Sequence, residues 1–266
     1  ILTDGVYSTA SCPSGTSVGT YEALELKDHD NSRFNGEGVL SAISNIKEQI
    51  APRLVGIEAD KQQEIDRIMI EHDGTQNKAR LGANSILAVS MAVAKASAES
   101  SVLPLFLYLR EFIKKENIPL KIPTPLFNII NGGKHAGGNV DFQEFLIIPA
   151  SSKTYSESLM LSVNIYHQLK KILSSAGLIT SVGDEGGFAP AFHTNKDPLD
   201  AIIQAIDSAS LRVGFDVFLG IDAAASSFFS GNTYRIKDNS SSLSSDNLIS
   251  YYEELHKQYN ILYLED

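Results

Sequence analysis

The chain has 266 residues, with 22 basic and 32 acidic side chains giving a net charge of −10, and 43% apolar and 20% charged content. This is ordinary globular composition, long enough for one large α/β barrel or two medium domains, either with a core that needs no staples. It excludes a disulfide scaffold, since Cys12 is the single cysteine, and a membrane span, since no run approaches roughly 18 apolar residues. No basic cluster suited to nucleic-acid phosphates stands out, and a reducing, cytoplasmic setting fits the cysteine usage.

The chain opens at Ile1 without a methionine or a signal-peptide pattern. At the other end, Ile261 to Asp266 reads as a buried strand stopping on two carboxylates. Both features are those of a piece of a longer product; a terminal strand that happens to be buried is the alternative. Residues 1 to about 35 carry short strand patterns broken by Gly, Pro and Ser, including the loop Ser11 to Gly19. Val39, Ala42, Ile43, Ile46 and Ile50 recur at helical spacing, Ile65, Ile68 and Met69 mark a second helix, and the Ala-rich run from Asn77 to Ser100 marks a long third one. Strands followed by packed helices predict a small α+β domain over residues 1–116, ending in the polar stretch Lys114-Lys115-Glu116-Asn117.

Over residues 117–266 apolar strands alternate with amphipathic helices. Strands are expected at Pro125 to Ile130, Phe142 to Ile148, Val217 to Asp222 and Ile261 to Leu264. A helix opens at the capping-box pattern Thr154-Tyr155-Ser156-Glu157, with Leu159, Val163, Tyr166 and Leu173 as its apolar face. A second starts at Asp197-Pro198, a cap before a first-turn proline, and repeats Leu199, Ile202, Ile203 and Ile206. The Ser-rich stretch Asn239 to Asp246 reads as a solvated loop before a helix around Leu248, Tyr251, Tyr252 and Leu255. This alternation predicts a doubly wound sheet or part of a (β/α)8 barrel.

Four acidic residues interrupt or end apolar strands, where an unpaired carboxylate is costly: Glu144, Glu185, Asp222 and Glu265. In a barrel Asp222 and Glu265 would converge at the carboxyl ends of their strands, and an all-oxygen cluster suits Mg²⁺ rather than zinc. Each could instead cap a helix or pair with Arg or Lys. Two Gly-rich segments, Asn131 to Gly138 and Val182 to Phe188, permit close backbone approach but fit neither the P-loop nor the dinucleotide fingerprint. Only His135 among the six histidines lies inside such a loop.

Pro13 to Ser17, Tyr21 to Asp28, Asn77 to Asn84, Asn131 to Gly138, Gln143-Glu144-Phe145, Val182 to Pro190 and Ile221 to Ala224, in that order, resemble the enolase (phosphopyruvate hydratase) family along essentially the whole chain. The resemblance implies an α+β lid domain followed by the first half, about four strands, of an enolase-type (β/α)8 barrel with an antiparallel start. It implies Mg²⁺-dependent removal of water from 2-phosphoglycerate to give phosphoenolpyruvate, with two Mg²⁺ ions per site. Asp222 and Glu265 are then two of three carboxylate ligands of the first ion, and Ser17 a lid ligand of the second. Glu185 is the general acid, Glu144 assists it, Gln143 lines the site, and His135 lies on a mobile loop that closes over the substrate. The third carboxylate, the lysine base, a second lysine and the phosphate-binding residues fall on barrel strands after Asp266.

The lid reads Ser14-Gly15-Thr16-Ser17-Val18-Gly19 where the family has Ser-Gly-Ala-Ser-Thr-Gly. Ser226-Ser227-Phe228 stands for Ser-Glu-Phe, and Ala191 for the usual Asn. A homodimer or higher homo-oligomer is the implied assembly. A non-catalytic enolase-like binding or structural protein is the alternative, and another lyase of the superfamily ranks below it.

Overall fold

The computed structural model describes residues 1–15, 19–113, 119–183 and 185–266, and the side chains of all of these except 134 and 135. It divides into two compact units, Ile1–Pro119 and Leu120–Asp266.

In the first unit a helix runs from α1 (Leu40–Asn45) through a π turn (Ile46–Ile50) into α2 (Ala51–Leu54), followed by α3 (Gln62–Asp73), α4 (Ala83–Ser100) and α5 (Leu105–Arg110). Ile50, Ile65, Met69, Leu81 and Ile86 form a buried cluster between them. The residue before α1, Val39, has no capping side chain, and Asp28 serves instead, accepting from the Leu40 and Ser41 N–H groups at 2.8 Å each. Those two donors hold its carboxyl below the usual range.

Two expectations change here. The short strands foreseen in residues 1–35 do not form among the described residues; the backbone there is tied by turns and side chains, and an extended segment becomes a strand only with a ladder partner. The third helix starts at Ala83 rather than near Asn77, because 77–82 is a knotted loop. Leu81 N–H donates to Asp73 Oδ2 at 2.7 Å, Asn45 Nδ2 donates to Leu81 O at 3.0 Å, and the Asn84 amide brackets both backbone groups of Leu26 at 3.1 Å. Asn77 to Asn84 is therefore a structural hub of this unit. The proposed boundary stretch 114–117 lies outside the described residues.

The second unit is built on a four-stranded sheet of β1 (Phe127–Asn131), β2 (Glu144–Pro149), β3 (Val217–Asp222) and β6 (Ile261–Glu265), side by side in that order. The β1–β2 and β2–β3 pairs are antiparallel and β3–β6 is parallel, with a small hairpin, β4 (Phe229–Ser230) and β5 (Thr233–Tyr234), beside it. Helices α6 (Tyr155–Ser175), α7 (Lys196–Ser208) and α8 (Ser245–Tyr259) complete the unit. Phe142, Phe145, Ile147, Ile165, Leu169, Leu199, Ile202, Leu219 and Ile221 fill its core. The antiparallel start is present, and the sheet is a partial barrel that does not close among the described residues.

The capping box at Thr154 forms: its Oγ1 accepts from Glu157 N–H at 3.3 Å, and Glu157 Oε2 accepts from Thr154 N–H at 2.8 Å. The buried stripe of α6 is Ser158, Ser162, Ile165, Leu169 and Leu173, whereas Leu159 and Val163 are 43% and 46% exposed. Small serines let the helix sit close, and the larger residues one position on turn outward. Asn195, not Asp197, occupies the cap position of α7; Asp197 reaches back to accept from His193 and Thr194 N–H at 2.9 Å each. The Ser-rich stretch is only partly loop, because Leu243 is buried and Ser244 caps α8. The last strand is less buried than its pattern suggested, with Leu262 60% exposed.

Candidate active site

The acidic residues meet because of strand direction. β2 runs antiparallel to β3, so its first residue, Glu144, lies opposite the last residue of β3, Asp222. β6 runs parallel to β3, so its last residue, Glu265, lies beside Asp222 as well. On the far flank Asn131, which ends β1, is in register with Glu144. Register neighbours project to the same side of a sheet, so Asn131, Glu144, Asp222 and Glu265 form one row across its end.

Glu185 joins the row from a loop. Phe188 N–H donates to Ile129 O at 3.0 Å and Asn131 N–H to Phe188 O at 2.8 Å, laying the strap along the outer edge of β1. Tyr166 stacks on Phe188 with centroids 4.3 Å apart, and its hydroxyl donates to Gly186 O at 2.8 Å. Position 187 requires glycine, since a Cβ would fall 2.0 Å from Asn131 Oδ1 and 2.8 Å from Asn128 Oδ1. So seated, Glu185 accepts from Asn128 Nδ2 at 3.4 Å and lies close enough to Glu144 to raise its proton affinity.

This crowding governs proton affinity. Burial pushes the Glu144 carboxyl up to about 8, reinforced by Glu185 and then by Asp222 and Glu265. Burial also raises Asp222; the Ala224 N–H, 3.0 Å from Oδ1, opposes this, and Glu265 and Asp266 add to it. Gln143 steadies Asp222 twice, its Nε2 donating to Oδ2 at 3.2 Å and its backbone N–H to Asp222 O at 2.9 Å. Tyr263 donates its hydroxyl to Glu265 Oε2 at 2.6 Å.

Five of the residues read from the sequence are therefore gathered: Gln143, Glu144, Glu185, Asp222 and Glu265. His135 belongs to the turn Gly133–Ala136, between Gly133 at φ +51° and Gly137 at φ +66°, and its side chain is outside the description. Ser17 lies outside the described residues. Among the described residues no three of His, Cys, Asp or Glu are grouped to hold a metal ion. The donor set nonetheless fits a hard cation, because it is all oxygen and Glu144, Asp222 and Glu265 are neighbours of one sign.

Several contributors carried no sequence signal read as functional. Asn131 is completely buried, and among the described residues neither end of its amide has a partner, nor does Asn128 Oδ1. A polar amide closing the apolar strand Phe127–Asn131 was the available clue. A second polar knot anchors the loop that delivers Gln143 and Glu144. The buried Asn195 accepts at Oδ1 from Asp141 and Phe142 N–H at 2.8 and 3.4 Å, and donates from Nδ2 to Asp141 Oδ2 at 2.8 Å and Asp238 Oδ2 at 2.6 Å. Lys237 N–H donates to Asp141 Oδ2 at 2.6 Å, and its ammonium to Gly138 O at 2.8 Å and Asn139 O at 2.5 Å.

Two family models match this sequence: one described as Enolase, N-terminal domain, over residues 1–109, and one described as Enolase, C-terminal TIM barrel domain, over residues 119–266. The chain belongs to the enolase family. That membership supports an enolase-like function and identifies the open sheet as part of an enolase barrel. Within this enolase-family chain, no helix among the described residues is long and apolar enough to cross a membrane.

Proposed function

We propose that this chain serves Mg²⁺-dependent dehydration of 2-phosphoglycerate to phosphoenolpyruvate, in a cytoplasmic protein that works as a homodimer or higher homo-oligomer. The observation that carries the reading is the row of Glu144, Asp222 and Glu265 in strand register, with Glu185 beside Glu144. Asp222 and Glu265 would hold the first of two Mg²⁺ ions, and Ser17 the second. Bound Mg²⁺ supplies positive charge where the substrate carboxylate gains negative charge as its α-proton leaves.

The chain's own residues account for the departure of hydroxide. Two adjacent carboxyls in a half-buried site cannot both ionise readily, so the Glu144–Glu185 pair retains a proton near neutral pH. Glu185 gives that proton to the leaving hydroxyl as the C–O bond breaks, releasing water, and Glu144 keeps the pair supplied. Gln143 fixes Asp222 against the sheet, and closure of the His135 loop excludes water. Proton abstraction is assigned by the resemblance to a lysine beyond Asp266.

The test is turnover of 2-phosphoglycerate by the product of the complete reading frame that contains Ile1 to Asp266. Glu185→Gln is expected to lower kcat by about 100-fold or more while Mg²⁺ binding measured by calorimetry stays near that of the unmodified protein. Unchanged turnover overturns the role of Glu185. Mg²⁺ binding without any turnover favours the non-catalytic enolase-like alternative.

A further inference from the structure

Tyr263 stands two residues before Glu265 on β6, so both side chains leave the strand on the same side. Its hydroxyl donates to Glu265 Oε2 at 2.6 Å, a short charge-assisted bond. Its register neighbour on β3 is Gly220, where a Cβ would fall 3.2 Å from Tyr263 Cβ and 3.3 Å from Leu146 Cβ. A glycine there leaves the base of the tyrosine uncrowded between β6 and β2. The contact thus comes from a built position in the sheet, and it ties one oxygen of Glu265 while leaving Oε1 for a ligand.

We infer that Tyr263 is a positioning residue for a divalent cation: by engaging Oε2 it presents Glu265 through Oε1 and favours Mg²⁺ over Ca²⁺. Mg²⁺ takes single oxygens at short distance in a strict octahedron, whereas Ca²⁺ readily takes both oxygens of one carboxylate at longer distance. A carboxylate held at one oxygen is matched to the first ion. A freely turning one accommodates the second. Hydrogen-bond partners of metal ligands commonly carry a substantial share of affinity. The inference rests on the proposed reading of Asp222 and Glu265 as cation ligands.

The test is calorimetric titration of the product of the complete reading frame that contains Ile1 to Asp266, unmodified and as Tyr263→Phe, with Mg²⁺ and with Ca²⁺. The variant keeps the ring beside Gly220 and removes only the hydroxyl. Mg²⁺ affinity is expected to fall about tenfold, and Ca²⁺ affinity to fall less, so that the ratio of the two dissociation constants moves toward Ca²⁺. A merely structural tyrosine would change thermal stability and leave that ratio alone, and an unchanged ratio overturns the inference while sparing the cation site. Absence of binding by the unmodified chain overturns both. Should Tyr263→Phe fail to fold, Tyr263→Leu is titrated in its place, and the same two outcomes apply: a ratio moved toward Ca²⁺ supports the inference and an unchanged ratio overturns it.

Discussion

The acidic row and the Asn195 knot are both polar clusters within the unit Leu120–Asp266, and they treat charge in opposite ways. In the knot, the carboxylates of Asp141 and Asp238 are bridged by one buried amide, and Lys237 ties off the neighbouring carbonyls. Each partner there is satisfied by the chain itself. In the row, Glu144, Asp222 and Glu265 are neighbours of one sign, and the adjacent Asn131 amide has no partner among the described residues. A satisfied network holds a loop in place; an unsatisfied one is receptive to a ligand that brings the missing charge. The knot sits where it steadies the approach to Gln143 and Glu144, so the two clusters are linked as support and site.

That comparison fails if the knot is dispensable. Asn195→Ala leaves the Asp141 and Asp238 carboxylates without their bridge and two backbone N–H groups without an acceptor. The expected loss is about 3 kcal/mol in urea unfolding; a loss near zero would show that Lys237 suffices.

The row should answer with the opposite sign. Because Glu144 has a folded-state pKa raised above its ordinary 4.5 to about 8, its contribution to stability is present below pH 4.5 and is lost as pH rises through 8. Glu144→Gln removes that loss. The variant should match the unmodified chain in acid and exceed it at pH 8 by about 1 to 2 kcal/mol, discounted for the half-exposed position. Curves that stay parallel across the whole range would remove the case for a proton held on the pair.

The smallest effect sharpens the scale. Thr154→Ala touches neither cluster and deletes the α6 cap, at about 1 kcal/mol; because Thr154 also lowers the Glu157 carboxyl, its pH dependence differs only in acid, and between about pH 6 and 8 it should run parallel to the unmodified chain. A pH-dependent difference between the two in that upper range would mean that the slope reports general stability rather than the row.

Much of the scaffold was legible because its signals are local. The Thr154 capping box, the strand Val217–Asp222 and the helix bearing Leu248, Tyr251 and Leu255 are written in neighbouring residues and form as read. The outward turn of Leu159 and Val163 was not legible, since apolar spacing gives the period of a helix but not which side meets the core. Nor was the cap of α7, where Asn195 is drawn away by a carboxylate 43 residues on, at Asp238.

The sequence by itself determined the order of the main strands and helices in the unit Leu120–Asp266, the Thr154 capping box, and the identity of the carboxylates that end or open the apolar strands. Its motifs were also enough to point to the enolase family, because several of them recur in order. Only the tertiary structure decided which of those groups meet. Gln143 and Asp222 are 79 residues apart and touch because β2 and β3 run antiparallel, while Glu265 joins them because β6 runs parallel. Strand direction and register are properties of the assembled sheet, set by side chains that pack across it, and no window along the chain contains them.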